Sequence, residues 1–330
     1  MGSQEAERKT SVILLDSSAD NLKEMRRFLK KLPVVLFFGF LAFPPSAFCQ
    51  VDTAWVRRYN SPGDKTDEIR GLIVDDSGNV IITGYSGTGV PSGELVTIKY
   101  DRNGKQLWLQ NYNGAINTGD YPALFASDKK GNVYVTGGTS AGNDCITIKY
   151  DSNGNQVWAV RYNGPINGVD VGIAVTVDEN GNVYVTGISQ GAIRDCWYYS
   201  IYYDFVTIKY DSNGNQLWAA RYFPPGGDDY WNRAHLIAVD SLGSVYVGGY
   251  SEHCPGLTEW ITMKYDSAGT QLWVRSDIRS PWITSTGAPI DLKLDTGGHI
   301  YLTGGSRDSG TFRDYTTVKY DSQGNLLCPT

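Results

Sequence analysis

From residue 52 onward, apolar and polar positions alternate in short runs broken by glycine-bearing turns, and the same four runs return five times. The third copy shows the pattern. Gly172-Ile-Ala-Val-Thr-Val-Asp178 is almost wholly apolar, as expected of a strand covered on both faces. Asn182-Val-Tyr-Val-Thr-Gly187 is a second strand. Phe205-Val-Thr-Ile-Lys-Tyr210 alternates with the two-residue period of a third. Gln216-Leu-Trp-Ala-Ala-Arg-Tyr222 is the fourth. The turns Asp178-Glu-Asn-Gly181 and Asp211-Ser-Asn-Gly-Asn215 place Gly where a positive φ is needed and Asp where its side chain can hold the turn. These runs, called strands a to d, predict a four-stranded antiparallel meander.

The repeat is spelled out in VTIKYDRNGKQLW, ITIKYDSNGNQVW, VTIKYDSNGNQLW, ITMKYDSAGTQLW and TTVKYDSQGNLLC, with the Tyr-Asp pair at Tyr100, Tyr150, Tyr210, Tyr265 and Tyr320. One such sheet leaves two apolar faces uncovered. Radial stacking of copies covers them, which makes the predicted fold an all-β propeller of four-stranded blades. The absence of helical periodicity after residue 50 excludes α/β architectures. Ala54-Trp-Val-Arg-Arg-Tyr59 reads as a strand d with no a, b or c before it, whereas the last repeat has a, b and c but stops at Leu326-Leu-Cys-Pro-Thr330. Pairing 54–59 with strand c of the last repeat would remove an open edge, so five blades closed by an N-terminal outer strand are expected.

These units resemble the bacterial SBBP β-propeller repeat: a strand, Asp-x-x-Gly-Asn, Val-Tyr-Val-Thr-Gly, then a Lys-Tyr-Asp-x-x-Gly strand pair ending in Trp. The resemblance covers residues 52–330. It implies export and a surface or periplasmic life, and no common activity. The family is named for seven blades; this chain carries five repeats.

The N-terminus adds a targeting signal. Met25-Arg-Arg-Phe-Leu-Lys-Lys is basic, Leu32 to Phe43 is apolar, and small residues lead to Cys49–Gln50. A 12-residue core is short of the roughly 20 apolar residues needed to span a bilayer and fits a secretory signal. Residues 1–24 are therefore expected to lie outside the fold, 25–49 to be a cleaved signal, and 51–330 to be the propeller. Removing the first 50 residues leaves 22 basic and 30 acidic side chains, a net charge of −8. Such a surface argues against nucleic acid as a partner. No further hydrophobic run of membrane length follows, and a monomer is expected.

The recurring residues have structural readings first. Trp55, Trp108, Trp158, Trp218 and Trp273 hold one position on strand d, where a large aromatic packs blade on blade. Lys99, Lys149, Lys209, Lys264 and Lys319 hold one position on strand c. They are expected to contact a turn carboxylate (Asp75, Asp128, Asp178, Asp240 or Asp295) within or between blades. The turns lack the alternating ligands and terminal Glu of an EF-hand, so no metal is expected. Asp67, Asp120 and Asp170, with Asn232 in the fourth repeat, stand eight residues before the Asp that closes strand a. They are expected near the channel mouth, as caps of the d-to-a connection or as polar ligands. Cys145, Cys196, Cys254 and Cys328 show no metal spacing. Cys196 and Cys254 lie in corresponding loops, where a bridge is permitted in an exported chain.

A ligand would meet the longer, variable b–c and d–a connections, since binding concentrates on variable loops carried by a rigid scaffold. Trp197, Tyr198, Tyr199, Tyr202 and Tyr203 crowd one of them, and Tyr230 and Trp231 a neighbour. Two readings stand: a stacking surface for a sugar or protein, or a local minicore. No catalytic constellation is present and no cofactor is implied. The chain is expected to be an exported, non-enzymatic binding module or scaffold for a polysaccharide or protein. The alternative is a hydrolase or lyase with a site near His235, downstream of Asp228 and Asp229; a purely structural module needs no pocket.

Overall fold

The computed structural model describes residues 54–87, 93–112, 115–116, 125–139, 143–191, 202–224, 229–253, 257–281, 287–306 and 314–327. The expected upstream extension and signal, Asp120, Trp197, Tyr198, Tyr199, Cys196, Cys254 and Cys328 lie outside them, and Tyr230 is described by its backbone alone.

Blade 1 comprises β1 (Thr66–Val74), β2 (Val80–Gly87), β3 (Gly93–Tyr100) and β4 (Gln106–Tyr112). Blade 2 comprises β5 (Ala115–Ile116), β6 (Phe125–Ser127), β7 (Val133–Thr139), β8 (Cys145–Tyr150) and β9 (Gln156–Tyr162). Blade 3 comprises β10 (Asp170–Val177), β11 (Val183–Gln190), β12 (Tyr203–Tyr210) and β13 (Gln216–Tyr222). Blade 4 comprises β14 (Asp229–Val239), β15 (Val245–His253), β16 (Leu257–Tyr265) and β17 (Gln271–Pro281). Among the described residues, blade 5 comprises β18 (Pro289–Leu294), β19 (Ile300–Ser306) and β20 (Asp314–Tyr320). Neighbours within each blade pair antiparallel, and among the described residues a parallel bridge, Tyr203 to Trp231, links blades 3 and 4. No α-helix occurs among the described residues. The fold is a β-propeller.

Ten turns are closed by one device. In each, the Gly three residues after an Asp donates its N–H to the Asp carbonyl. The Asp Oδ1 accepts N–H groups two and four residues on, as at Asp178 from Asn180 (2.9 Å) and Asn182 (2.8 Å). These glycines have φ between +77° and +87°, the left-handed region that a Cβ disfavours.

Strand alternation gives each blade two faces. Val183, Val185, Ile208 and Tyr210 look back toward blade 2 and pack with Tyr134 and Cys145. Tyr184 and Phe205 look forward onto Val245, Val247 and Met263 of blade 4. The arrangement recurs along the chain and supplies the core.

The expected closure by residues 54–59 is not formed. Those residues join no ladder, and among the described residues β20 meets, beyond β19, a short bridged segment at Leu326. Tyr320 bridges Leu326, and the Leu327 N–H donates to the Lys319 carbonyl at 2.8 Å. The cause is local. Trp55 Nε1 donates to the Arg102 carbonyl at 3.1 Å and Arg57 Nε to that of Gly104 at 2.5 Å, which fixes the segment on blade 1. The terminal faces are bare in part, although Val96, Ile98 and Tyr100 of blade 1 are buried with Tyr59 packed on them. On blade 1, Leu72 is 61% exposed, while its counterparts Phe125, Val175 and Leu292 are 5–7% exposed and Ile237 is partly buried. On blade 5, Tyr315 is fully exposed, whereas its counterparts Leu95, Cys145, Phe205 and Trp260 are buried.

Candidate functional site

The strand-d tryptophans join successive blades. Trp108, Trp158, Trp218 and Trp273 each donate Nε1–H to a carbonyl in the next blade's c–d turn: Ser152 (3.1 Å), Ser212 (3.1 Å), Ser267 (3.2 Å) and Ser322 (3.2 Å). Each ring lies against the turn glycine; a Cβ on Gly154 would stand 2.7 Å from Trp108. Trp55 uses Arg102 and Gly104 of blade 1 in the same way.

The lysines reach forward too, and mostly not to the expected carboxylates. Lys149, Lys209 and Lys264 donate to the carbonyls of Ser212 (3.1 Å), Ser267 (3.1 Å) and Ser322 (3.2 Å). Each ammonium also lies 4.9–5.4 Å from a strand-b tyrosine ring: Tyr134, Tyr184 or Tyr246. Those hydroxyls occupy the turn carboxylates, Tyr184 donating to Asp178 at 3.0 Å. Lys319 sits 5.0 Å from the Tyr301 ring. Blade 1 differs because Ile81 replaces the tyrosine. With no hydroxyl to donate, Asp75 takes Lys99 directly at 2.9 Å, with side chains 3% and 5% exposed. The expected lysine–carboxylate contact thus forms in blade 1 and gives way to carbonyl contacts in blades 2 to 4.

Asp67 and Asp170 cap the connections ahead of strand a. Asp67 accepts the Ser61 N–H at 2.9 Å and Asp170 the Gly164 N–H at 2.6 Å. They pair in register with Ser86 and Ser189, and Asn232 pairs with Ser251, whose hydroxyl donates to Asn232 Oδ1 at 2.6 Å. Burial raises the Asp170 carboxyl above its ordinary range, against the Gly164 and Ser189 hydrogen bonds. At Asp67 burial also opposes ionisation, but the Ser61 and Ser86 hydrogen bonds prevail and lower it.

On the variable-loop face, Tyr203 and Trp231 meet edge-on, with ring centroids 5.1 Å apart. They lean on Val171, Ile173 and Ile188, and each remains partly accessible. Tyr202 is buried and presents no ring at the surface. Behind the pair, Arg221 Nη2 binds Asp204 Oδ2 at 2.7 Å and donates to the Gln190 carbonyl at 2.8 Å. The described part of this face is therefore a small core with an aromatic edge and an internal ion pair.

His235 does not make an acid–base centre. Its polar partners are carbonyls, Pro289 at 2.5 Å and Arg233 at 3.4 Å. Burial pulls its pKa down to about 4, so the ring is neutral at pH 7. The structure instead brings His253 to a carboxylate, Glu259 Oε2 at 3.3 Å, across the mouth of the β15–β16 hairpin. The six-residue separation was the available signal, because a b–c hairpin folds its two ends together. On the opposite face a polar groove of about 560 Å³ runs between the short turns of blades 3 and 4, with Asp178, Asn180, Lys209 and Asp240 on its walls. Among the described residues no cluster of three or more His, Cys, Asp or Glu is placed to hold a metal, and no helix is long and apolar enough to cross a membrane.

No protein-family model matches the chain, and no curated protein matches it in sequence. Among solved structures it is similar to a gluconolactonase from Xanthomonas campestris: 14% identity, 80% of this chain and 88% of that one covered, TM-score 0.37. It is also similar to the calcium-binding regucalcin of Agrobacterium tumefaciens, with 11% identity, coverage of 79% and 72%, and TM-score 0.36. A third is the β-propeller domain of the Trilobed protease of Pyrococcus furiosus, described as having an open velcro topology, with 8% identity, coverage of 79% and 71%, and TM-score 0.41. At such identities and scores the likenesses carry nothing about activity.

Proposed function

We propose that this protein is an exported, SBBP-type repeat propeller of a bacterial cell surface or periplasm, acting as a non-enzymatic binding module. Its ligand is an extracellular polysaccharide or protein held on the variable-loop face. The observation that carries this reading is the aromatic edge of Tyr203 and Trp231, partly accessible and backed by the Arg221–Asp204 pair. Aromatic rings with polar edges suit sugar faces and protein hot spots. The recurring polar groups support it from the other side, because turns, caps and blade contacts already occupy them.

A glycan array and a pull-down of secreted proteins with the purified protein test the reading. A bound partner whose affinity falls by at least about tenfold in Trp231→Ala, with Leu242→Ala on the opposite face unchanged, supports it. Failure to bind any glycan or protein, or equal affinity in both variants, refutes it. A hydrolase or lyase reading now rests on His253 and Glu259, not on His235. Glycan cleavage abolished by His253→Gln would establish that reading instead.

A further inference from the structure

We propose that copies of this chain associate head to tail, blade 5 of one copy docking on blade 1 of the next. The inference is independent of the ligand-binding reading and departs from the monomer expected from sequence. It starts from repetition. Four blade junctions in the chain use equivalent positions: a forward-facing buried side chain (Leu95, Cys145, Phe205 or Trp260), a strand-d tryptophan on the next turn glycine, and a strand-c lysine reaching a carbonyl of the next blade. The outer faces of blades 1 and 5 carry the two halves of a fifth such junction, and the two do not meet within the chain.

The forward half is blade 5. Tyr315 is fully exposed where Phe205 is fully buried. Thr303 and Thr317 bond to each other at 2.9 Å at an accessible position, whereas the equivalent Thr186 and Thr207 are buried. The receiving half is blade 1. A cleft of about 450 Å³ opens on it, lined by Trp55, Tyr59, Ile69, Leu72 and Ile82; its strand-c side, Val96, Ile98 and Tyr100, is already buried, with Tyr59 packed on it. Leu72 and Tyr315 are both exposed, so these two positions do not cover each other within the chain.

The strand inventory matches as well. Among the described residues, β20 pairs on its outer side through the Tyr320–Leu326 bridge and otherwise offers an edge. Residues 54–59 carry strand-d chemistry and already sit on blade 1 where the preceding blade's strand d belongs. Arg57 Nε bonds the Gly104 carbonyl at 2.5 Å, as Arg275 of β17 bonds that of Gly324 at 2.5 Å. When blade 5 of one copy docks on blade 1 of another, the second copy's 54–59 segment is positioned to pair along the β20 edge. The occupant is a second copy because the face that fits is this chain's own repeat. Such a contact is heterologous, so its geometry determines whether the copies close into a ring or extend as a row.

Sedimentation equilibrium of the purified protein from about 1 to 100 µM tests this by mass action. The expected result is a mass that rises with concentration. Leu72→Asp and Tyr315→Asp, each checked for native circular dichroism and melting, are each expected to weaken self-association by at least about tenfold, since each buries a charge in the contact. Mixing the two variants is expected to restore one contact and give a dimer that grows no further, because each contributes the face the other lacks. A monomer at every concentration, single variants that associate like the parent, or a mixture that stays monomeric would each overturn the proposal.

Discussion

The strand-c lysines provide a comparison in which one position should carry two energies. In Lys99→Met, Asp75 keeps its Ser77 and Asn79 donors but loses the ammonium at 2.9 Å in a site where both side chains are nearly fully covered. Breaking a buried ion pair costs about 3–5 kcal/mol, and the remaining donors place this case at about 3 kcal/mol. Lys209→Met removes a charge-assisted bond to the Ser267 carbonyl and a contact with the Tyr184 ring, while Asp178 keeps its tyrosine hydroxyl. That loss should be about 1.5 kcal/mol. Urea unfolding followed by tryptophan fluorescence and far-UV circular dichroism measures both. Adding Asp75→Asn to Lys99→Met should recover about 2 kcal/mol, because the amide needs no counter-ion, whereas Asp178→Asn and Lys209→Met should add within about 0.5 kcal/mol. Equal costs for the two lysines, or no coupling between residues 75 and 99, would refute the claim that Ile81 changes the role of Lys99.

Three further outcomes follow from particular groups. His235 has a folded pKa of about 4 against 6.5, so unfolding takes up a proton between those values. Its contribution is complete above pH 6.5 and is lost as the pH falls toward 4, by up to about 3 kcal/mol; His235→Leu should flatten that stretch of a urea-midpoint profile. The Asp295 carboxyl is held at about 2, chiefly by the His299 N–H, so its contribution is present above the usual carboxylate range and lost as pH falls toward 2. Asp295→Asn should reduce the acid slope there in the same assay. Gly154→Ala places a Cβ against Trp108 at φ +87° and should cost about 2 kcal/mol or more, whereas Gly137→Ala, with no atom within 4 Å, should be nearly neutral by thermal melting.

Much of the fold was legible because its determinants are local. The Asp-x-x-Gly turns, the alternation of β12 and the apolar run of β10 are written in consecutive residues and recur as hydrogen bonds at every copy. What lay outside the sequence depends on how copies meet. The Lys209 partner is a carbonyl, and carbonyls carry no residue identity in a sequence. The exception at Lys99 did have a signal, Ile81 in a position that is tyrosine in the other repeats. Closure failed as an expectation because strand-d chemistry specifies two neighbours, β20 on one side and the next blade's turn on the other. Trp55 and Arg57 satisfy only the second. At the site, burial of Tyr202 and the meeting of His253 with Glu259 depend on hairpin register, which the aromatic count and a search for histidine beside acidic runs do not convey.

The central claim is that the first and last blades do not pack on each other within one molecule. Nitroxide labels at Leu72→Cys and Tyr315→Cys in one chain, with the native cysteines replaced by serine and the protein diluted in unlabelled copies, test it by electron paramagnetic resonance. Packed sheets lie about 10 Å apart, close enough for strong dipolar broadening. An unbroadened spectrum is the predicted result; broadening that survives dilution would mean a ring closed in one chain and would contradict the account.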